Sequence, residues 1–169
     1  MFELMKNILG ELTKMLPTET AYAHCDIPCG IYDPHAAQVA AHTIIRMTKL
    51  IGDAKEEEGE EGRKEFIHGM TRYVTVKEEH AEILKREVAV IWGDYFKEEH
   101  LKDFPNLHET VWKILKLASK TKQGIDLKSA EELLAKVQEF SEIFWKSKGR
   151  ETMRVASGYP TGGEMVSPK

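Results

Sequence analysis

Apolar side chains recur at alternating steps of three and four along most of this chain, the spacing that gathers them on one face of an α-helix. The first such series runs Ala36, Ala40, Thr43, Met47, Leu50 and Ala54. A second runs Phe66, Met70, Tyr73, Lys77, His80, Leu84, Val88, Ile91 and Tyr95, and predicts the longest helix, from about Arg63 to Phe96. Lys77 and His80 interrupt its apolar seam, so a polar contact is expected at that level. Leu107, Val111, Ile114 and Ala118 mark a third helix restarted by Pro105. Leu127, Ala130, Leu134, Val137, Ser141 and Phe144 mark a fourth, with Asp126 placed to cap its N-terminus. Ahead of all four, Phe2, Met5, Leu9, Leu12 and Leu16 keep helical spacing as far as Pro17.

The connections between these series are short. Pro34 can open the first helix, where its missing N–H costs nothing. The run Glu56-Glu57-Glu58-Gly59-Glu60-Glu61-Gly62 closes it as a solvated, acidic loop. Long amphipathic helices joined by short connections pack as antiparallel neighbours, which predicts an all-α, up-down-up-down four-helix bundle over residues 35–149. No strand alternation competes with it. The tail, residues 150–169, carries Gly158, Pro160, Gly162, Gly163 and Pro168 and is expected to be disordered.

Size and charge narrow the function. A chain of 169 residues, 41% apolar and 31% charged, suits one domain with a real core. Its net charge of −4 argues against nucleic acid as a partner. No run approaches the roughly 18 apolar residues that a membrane span needs, so no membrane partner is expected. Two cysteines, Cys25 and Cys29, cannot make a disulfide framework.

The chemistry collects in one stretch, His24-Cys25-Asp26-Ile27-Pro28-Cys29-Gly30-Ile31-Tyr32-Asp33-Pro34. Just before it, Ala21-Tyr22-Ala23 is the small-x-small pattern that a processing peptidase cuts after. Glu3, Lys6, Glu11 and Lys14 break every apolar stretch of residues 1–23, so these read as an amphipathic leader removed on maturation in the cytoplasm rather than a secretory signal. Cutting before His24 would free its α-amine. That amine and the Cys25 backbone nitrogen close one five-membered chelate ring on a metal, and the Cys25 thiolate closes a second. Cys29, returned by the Pro28-Cys29-Gly30 turn, supplies a fourth corner, and the His24 imidazole can add an axial nitrogen. Four strong in-plane donors of this kind favour Ni(II) or Cu(II) over zinc. Thiolates and a deprotonated amide also bring the trivalent state of nickel within reach, and a one-electron metal with an open face suits a small diatomic radical.

Residues 24–34 resemble the nickel hook of the nickel-containing superoxide dismutases, residue for residue apart from aliphatic swaps. Val90-Ile91-Trp92-Gly93-Asp94-Tyr95-Phe96-Lys97 with His100, then Phe104-Pro105-Asn106-Leu107-His108, and Ile143-Phe144-Trp145 are similar to the same family. The resemblance implies a right-handed four-helix bundle, a homohexamer, and an inactive precursor activated by a maturation peptidase. It implies one nickel per subunit on His24, Cys25 and Cys29, with superoxide as substrate. Tyr32, Tyr95 and Asp94 would flank the access face, and Lys97 would lend positive charge that draws in an anion.

The chain also departs from the family pattern. Where the family holds its axial imidazole with a glutamate and an arginine, alignment from the hook and from Trp92 places Ala40 and His80 here. His80, or His42 on the first helix, is expected to take over that contact. Without the resemblance, the same residues would allow a nickel or zinc delivery protein using the hook without turnover, or a thiol-redox protein in which Cys25 and Cys29 bond.

Overall fold

The computed structural model describes residues 30–169. The leader and the hook as far as Cys29 lie outside the described residues. The described chain is mostly helical, and the helices follow the predicted order. Helix α1 spans His35–Asp53, α2 spans Glu60–Val90, and a π-helical turn, Ile91–Tyr95, continues from α2. A single turn, α3 (His100–Asp103), leads to α4 (Leu107–Gln123) and α5 (Leu127–Ser147). Each of the four long helices packs on two others: α1 on α2 and α5, and α4 on the same two. The shared core includes Ala37, Ala41 and Ile44 of α1, Leu84 and Val88 of α2, Leu107 and Ile114 of α4, and Leu133, Phe140 and Phe144 of α5. Among the described residues no helix is long and apolar enough to cross a membrane.

The acidic connection is shorter than its charge run suggests. Helix α2 begins at Glu60, three residues before the expected start, after Gly59 at φ +94°. Two glutamates at a helix N-terminus complement the exposed N–H groups there. The backbone of Glu57 approaches Gly62 so closely that a Cβ at position 62 would lie 2.8 Å from the Glu57 carbonyl oxygen, so glycine is required. The first turns of α2 bury no residue fully, its buried positions being Lys77, Ala81, Leu84 and Val88.

Lys77 explains the break in the seam. It is 2% exposed, and its ammonium donates to the carbonyls of Thr121 at 2.5 Å, Lys122 at 3.0 Å and Gly124 at 2.8 Å. These carbonyls belong to the C-terminal end of α4, where the last groups of a helix have no partner of their own. At the next connection Asp126 caps α5 as expected, accepting from the Ser129 N–H and hydroxyl, with Lys120 at 2.9 Å. Those bonds, the Ser129 hydroxyl first, hold its carboxyl far below the ordinary range.

The expectation of a disordered tail is wrong. Residues 150–169 form an antiparallel hairpin, β1 (Thr152–Ala156) with β2 (Glu164–Pro168), in a register that pairs Arg154 with Val166. The residues that suggested disorder build its turn, where Gly158, Gly162 and Gly163 all take positive φ. Docking makes the hairpin stable in place. Met165 and Val166 are buried. The side-chain amide of Gln38 donates to the Val166 carbonyl at 3.0 Å and accepts from the Val166 N–H at 2.7 Å, pairing with β2 as a third strand would. Gln138 donates to the Glu164 carbonyl at 2.6 Å, and Arg154 bonds back to Gln138 and Glu142 on α5.

Candidate functional site

The described part of the hook is the short lead-in to α1. Gly30 takes φ +72°, a left-handed backbone that suits a tight return immediately after Cys29. Asp33 accepts from the His35 N–H at 2.8 Å, and the Pro34 carbonyl accepts from Gln38 at 3.2 Å, so the lead-in is fastened to the first turn of α1. Pro34 is buried, whereas Ile31 is 75% exposed. Among the described residues no three His, Cys, Asp or Glu side chains gather to hold a metal ion. The predicted ligands His24, Cys25 and Cys29 lie outside the described residues.

Of the four predicted flanking residues, the structure brings two together. The rings of Tyr32 and Tyr95 sit 5.8 Å apart, tilted by 52°. Tyr95 reaches this position because α2 ends in a π turn, closed by the Phe96 N–H donating to the Ile91 carbonyl at 3.3 Å. The wider turn changes the direction in which the following side chains leave the helix. Phe96 enters the core, and Tyr95 enters an aromatic cluster with Phe96 at 5.0 Å, Phe144 at 4.9 Å and a stacked His100 at 5.6 Å. Asp94 is exposed on the same turn. Lys97 is exposed too and lines a groove of about 390 Å³ with Trp92, Phe96, Leu101 and His108.

A second layer behind Tyr95 was missed by sequence reasoning. The Tyr95 hydroxyl lies 2.8 Å from Ser147 Oγ, and Ser147 donates its one hydroxyl hydrogen to the Phe144 carbonyl at 2.7 Å. Ser147 Oγ can therefore only accept from tyrosine, and Tyr95 is the donor. The adjacent Lys148 places its ammonium 4.8 Å from the Phe144 ring centre and 5.3 Å from that of Tyr95. The signal available in the sequence was the block Ile143-Phe144-Trp145, whose next turn carries both residues.

The two histidines considered for the imidazole contact separate cleanly. His42 is 3% exposed, with Nδ1 at 2.9 Å from Thr161 Oγ1 and Nε2 at 3.2 Å from the Glu164 carbonyl. A carbonyl only accepts, so Nε2 carries a proton toward Glu164, and Nδ1 lies in hydrogen-bond contact with the Thr161 hydroxyl. Burial lowers the His42 pKa below the ordinary histidine value, opposed by the Glu164 carbonyl. Both nitrogens of His42 thus serve the hairpin. His80, half-buried on α2, donates from Nδ1 to the Val76 carbonyl at 2.7 Å, which leaves Nε2 as an acceptor. Ala40 is buried in the core with only a methyl group to offer.

Comparison with known proteins fits this geometry. The family model for nickel-containing superoxide dismutase matches residues 19–148. The superoxide dismutase [Ni] of Streptomyces coelicolor is 35% identical over 133 residues, spanning 78% of this chain and 93% of that protein. That of Streptomyces seoulensis is 31% identical over 132 residues, with the same coverage. A native nickel superoxide dismutase structure superposes with a TM-score of 0.64 at 33% identity, covering 74% of this chain and 99% of its own. A nickel-containing superoxide dismutase with ligation corresponding to the oxidised state gives a TM-score of 0.65 at 31% identity, covering 75% and 99%. The β1–β2 hairpin lies beyond the matched segment. The chain belongs to the nickel-containing superoxide dismutase family.

Proposed function

We propose that this chain is a superoxide dismutase that carries one nickel ion per subunit and is activated by cleavage before His24. The reaction is 2 O₂⁻ + 2 H⁺ → O₂ + H₂O₂. The observation that carries this reading is the hook sequence of residues 24–34, within a family match over residues 19–148, with Tyr32 at its base seated on Tyr95. The donor set fits the metal. The His24 amine and imidazole, the Cys25 amide nitrogen and the Cys25 and Cys29 thiolates would hold it, a nitrogen and thiolate donor set that suits nickel. Nickel held there supplies one-electron oxidation and reduction of superoxide.

The chain's own residues hold, orient and screen that site. Tyr95 has its proton committed to Ser147. Its ring therefore serves as a wall for Tyr32 and the hook rather than as a proton source. The His24 imidazole needs an acceptor for its distal N–H, and His80 Nε2 is the candidate, because both ring nitrogens of His42 are taken by Thr161 and Glu164. Asp94 and Lys97 flank the approach at longer range. The ring of four long helices is read as an up-down-up-down bundle. The mature enzyme is read as a cytoplasmic homohexamer.

Intact mass and metal analysis of protein made with nickel and its native peptidase test the maturation and the site together. The expected product begins at His24 and holds one nickel per chain, while uncut protein has no activity. With Ala23 attached, the His24 nitrogen is an amide and the donor set would lose its amine. A delivery protein would hold nickel without consuming superoxide, and a thiol-redox protein would hold no metal and lose about 2 Da on oxidation, the mass of the two thiol hydrogens that a disulfide displaces. Membership in a family of dismutases speaks against both.

A further inference from the structure

We propose that Lys148 is a substrate-steering residue, its ammonium held by the rings of Tyr95, Phe144 and Trp145 so that an unpaired positive charge stands beside the tyrosine wall of the hook. The proposal rests on the dismutase reading above and adds a residue to it.

The chain has a net charge of −4, and superoxide is an anion, so the field of the whole molecule repels the substrate. Productive approach then depends on cations that are fixed near the site and not cancelled by carboxylates. Seven lysines fail this condition. Lys64, Lys85, Lys113, Lys120, Lys122, Lys136 and Lys169 all lie in ion pairs with Asp or Glu. None of the ion pairs among the described residues includes Lys148.

Lys148 is also held in place. It follows Ser147, the last residue of α5, and its ammonium lies 4.8 Å from the Phe144 ring centre, 5.3 Å from Tyr95 and 6.0 Å from Trp145. Three aromatic faces attract one cation there. Tyr95 is itself pinned from behind by Ser147 and touches Tyr32, three positions after Cys29. The side chain is exposed, so the charge acts through water and is open to arriving anions.

A cation at a helix C-terminus also has a purely structural use, because it complements the helix dipole. The experiment must separate the two. Lys148→Gln and Lys148→Arg are compared in the cleaved, nickel-loaded enzyme across ionic strength. In Lys148→Gln, kcat/KM is expected to fall roughly two- to three-fold at about 10 mM ionic strength and to converge on the parent near about 0.5 M, with Lys148→Arg retaining the parent's salt slope.

A second arm needs no nickel. In metal-free Trp92→Phe/Trp112→Phe protein, Trp145 is the remaining tryptophan. Its quenching by iodide, normalised to neutral acrylamide, is expected to drop about two-fold when Lys148→Gln is added, because the anion is no longer concentrated there. An unchanged iodide-to-acrylamide ratio, or a parent-like salt slope in Lys148→Gln, overturns the proposal. Nickel-loaded parent enzyme without turnover would overturn the dismutase reading instead, and the steering role with it.

Discussion

Replacing Lys77 with Met tests the idea that a single ammonium closes the end of α4. The substitution keeps the unbranched stem and deletes the charge. Three carbonyls lose their donor together, those of Thr121, Lys122 and Gly124. Thr121 is 1% exposed, so its oxygen has no ready access to water. An unsatisfied buried acceptor costs about 1–3 kcal/mol, and bonds from a charged donor contribute about 1.5–3 kcal/mol each. Lys122 and Gly124 are partly exposed, and water replaces most of their loss. Set against this is the relief of no longer burying an ammonium. Burial pulls the Lys77 pKa below the ordinary lysine value, with Glu78 opposing.

Buried ionic groups are often replaced by apolar ones at no net cost, but only when both partners change. Here the acceptors are backbone and cannot be removed. The net loss is therefore expected to be about 2–4 kcal/mol, which for a domain of this size lowers Tm by roughly 5–15 °C. Thermal and urea unfolding of metal-free protein at fixed concentration measures it, with amide exchange at 120–124 as the local readout. Lys77→Met protein as stable as the parent, with unchanged exchange there, would refute the reasoning.

Three further outcomes are expected. Gln38→Leu removes both bonds to Val166 and should free β2, costing about 2–3 kcal/mol and speeding proteolysis in the turn at 157–163; equal protease resistance would show that Gln38 does not hold the hairpin. His42 has a lowered pKa in the folded protein, so its contribution is complete above the ordinary value of 6.5 and is lost as pH falls below it. The parent hairpin should loosen through that window, with His42→Gln nearly flat, and parallel profiles for the two proteins would exclude His42 as the cause. His80→Ala should change the EPR signal of the oxidised nickel enzyme and lower turnover, while His42→Ala leaves the signal alone; an unaltered His80→Ala signal would remove His80 from the imidazole contact.

The sequence made the helices legible because each carries a register of apolar positions, and the interruption at Lys77 announced a polar contact. The hook residues that carry the family likeness were equally readable, being contiguous in the sequence. The hairpin was not. Its glycines and prolines describe a turn only if something holds the flanking strands, and the holders, Gln38 and Gln138, lie 128 and 26 residues away from the groups they bind. A glutamine on a helix gives no sign that it will stand in for a strand. The Tyr95–Ser147 bond likewise joins side chains 52 residues apart. The fate of His42, offered to the hook by its place in α1 and taken by the tail, follows from the same long-range contacts.

The π turn at Ile91–Tyr95 ties the direction of the following side chains to how many residues the turn holds. An α-helix advances about 100° per residue, and the π turn holds one residue more than an α turn, so a return to α geometry at the present length would swing everything that follows by about that angle. Tyr95 would leave Tyr32, and Phe96 would trade the core for solvent. A library that varies length at 91–95 should accordingly yield enzymes at the original count, or at one residue fewer where the turn relaxes to α geometry, and not at one residue more.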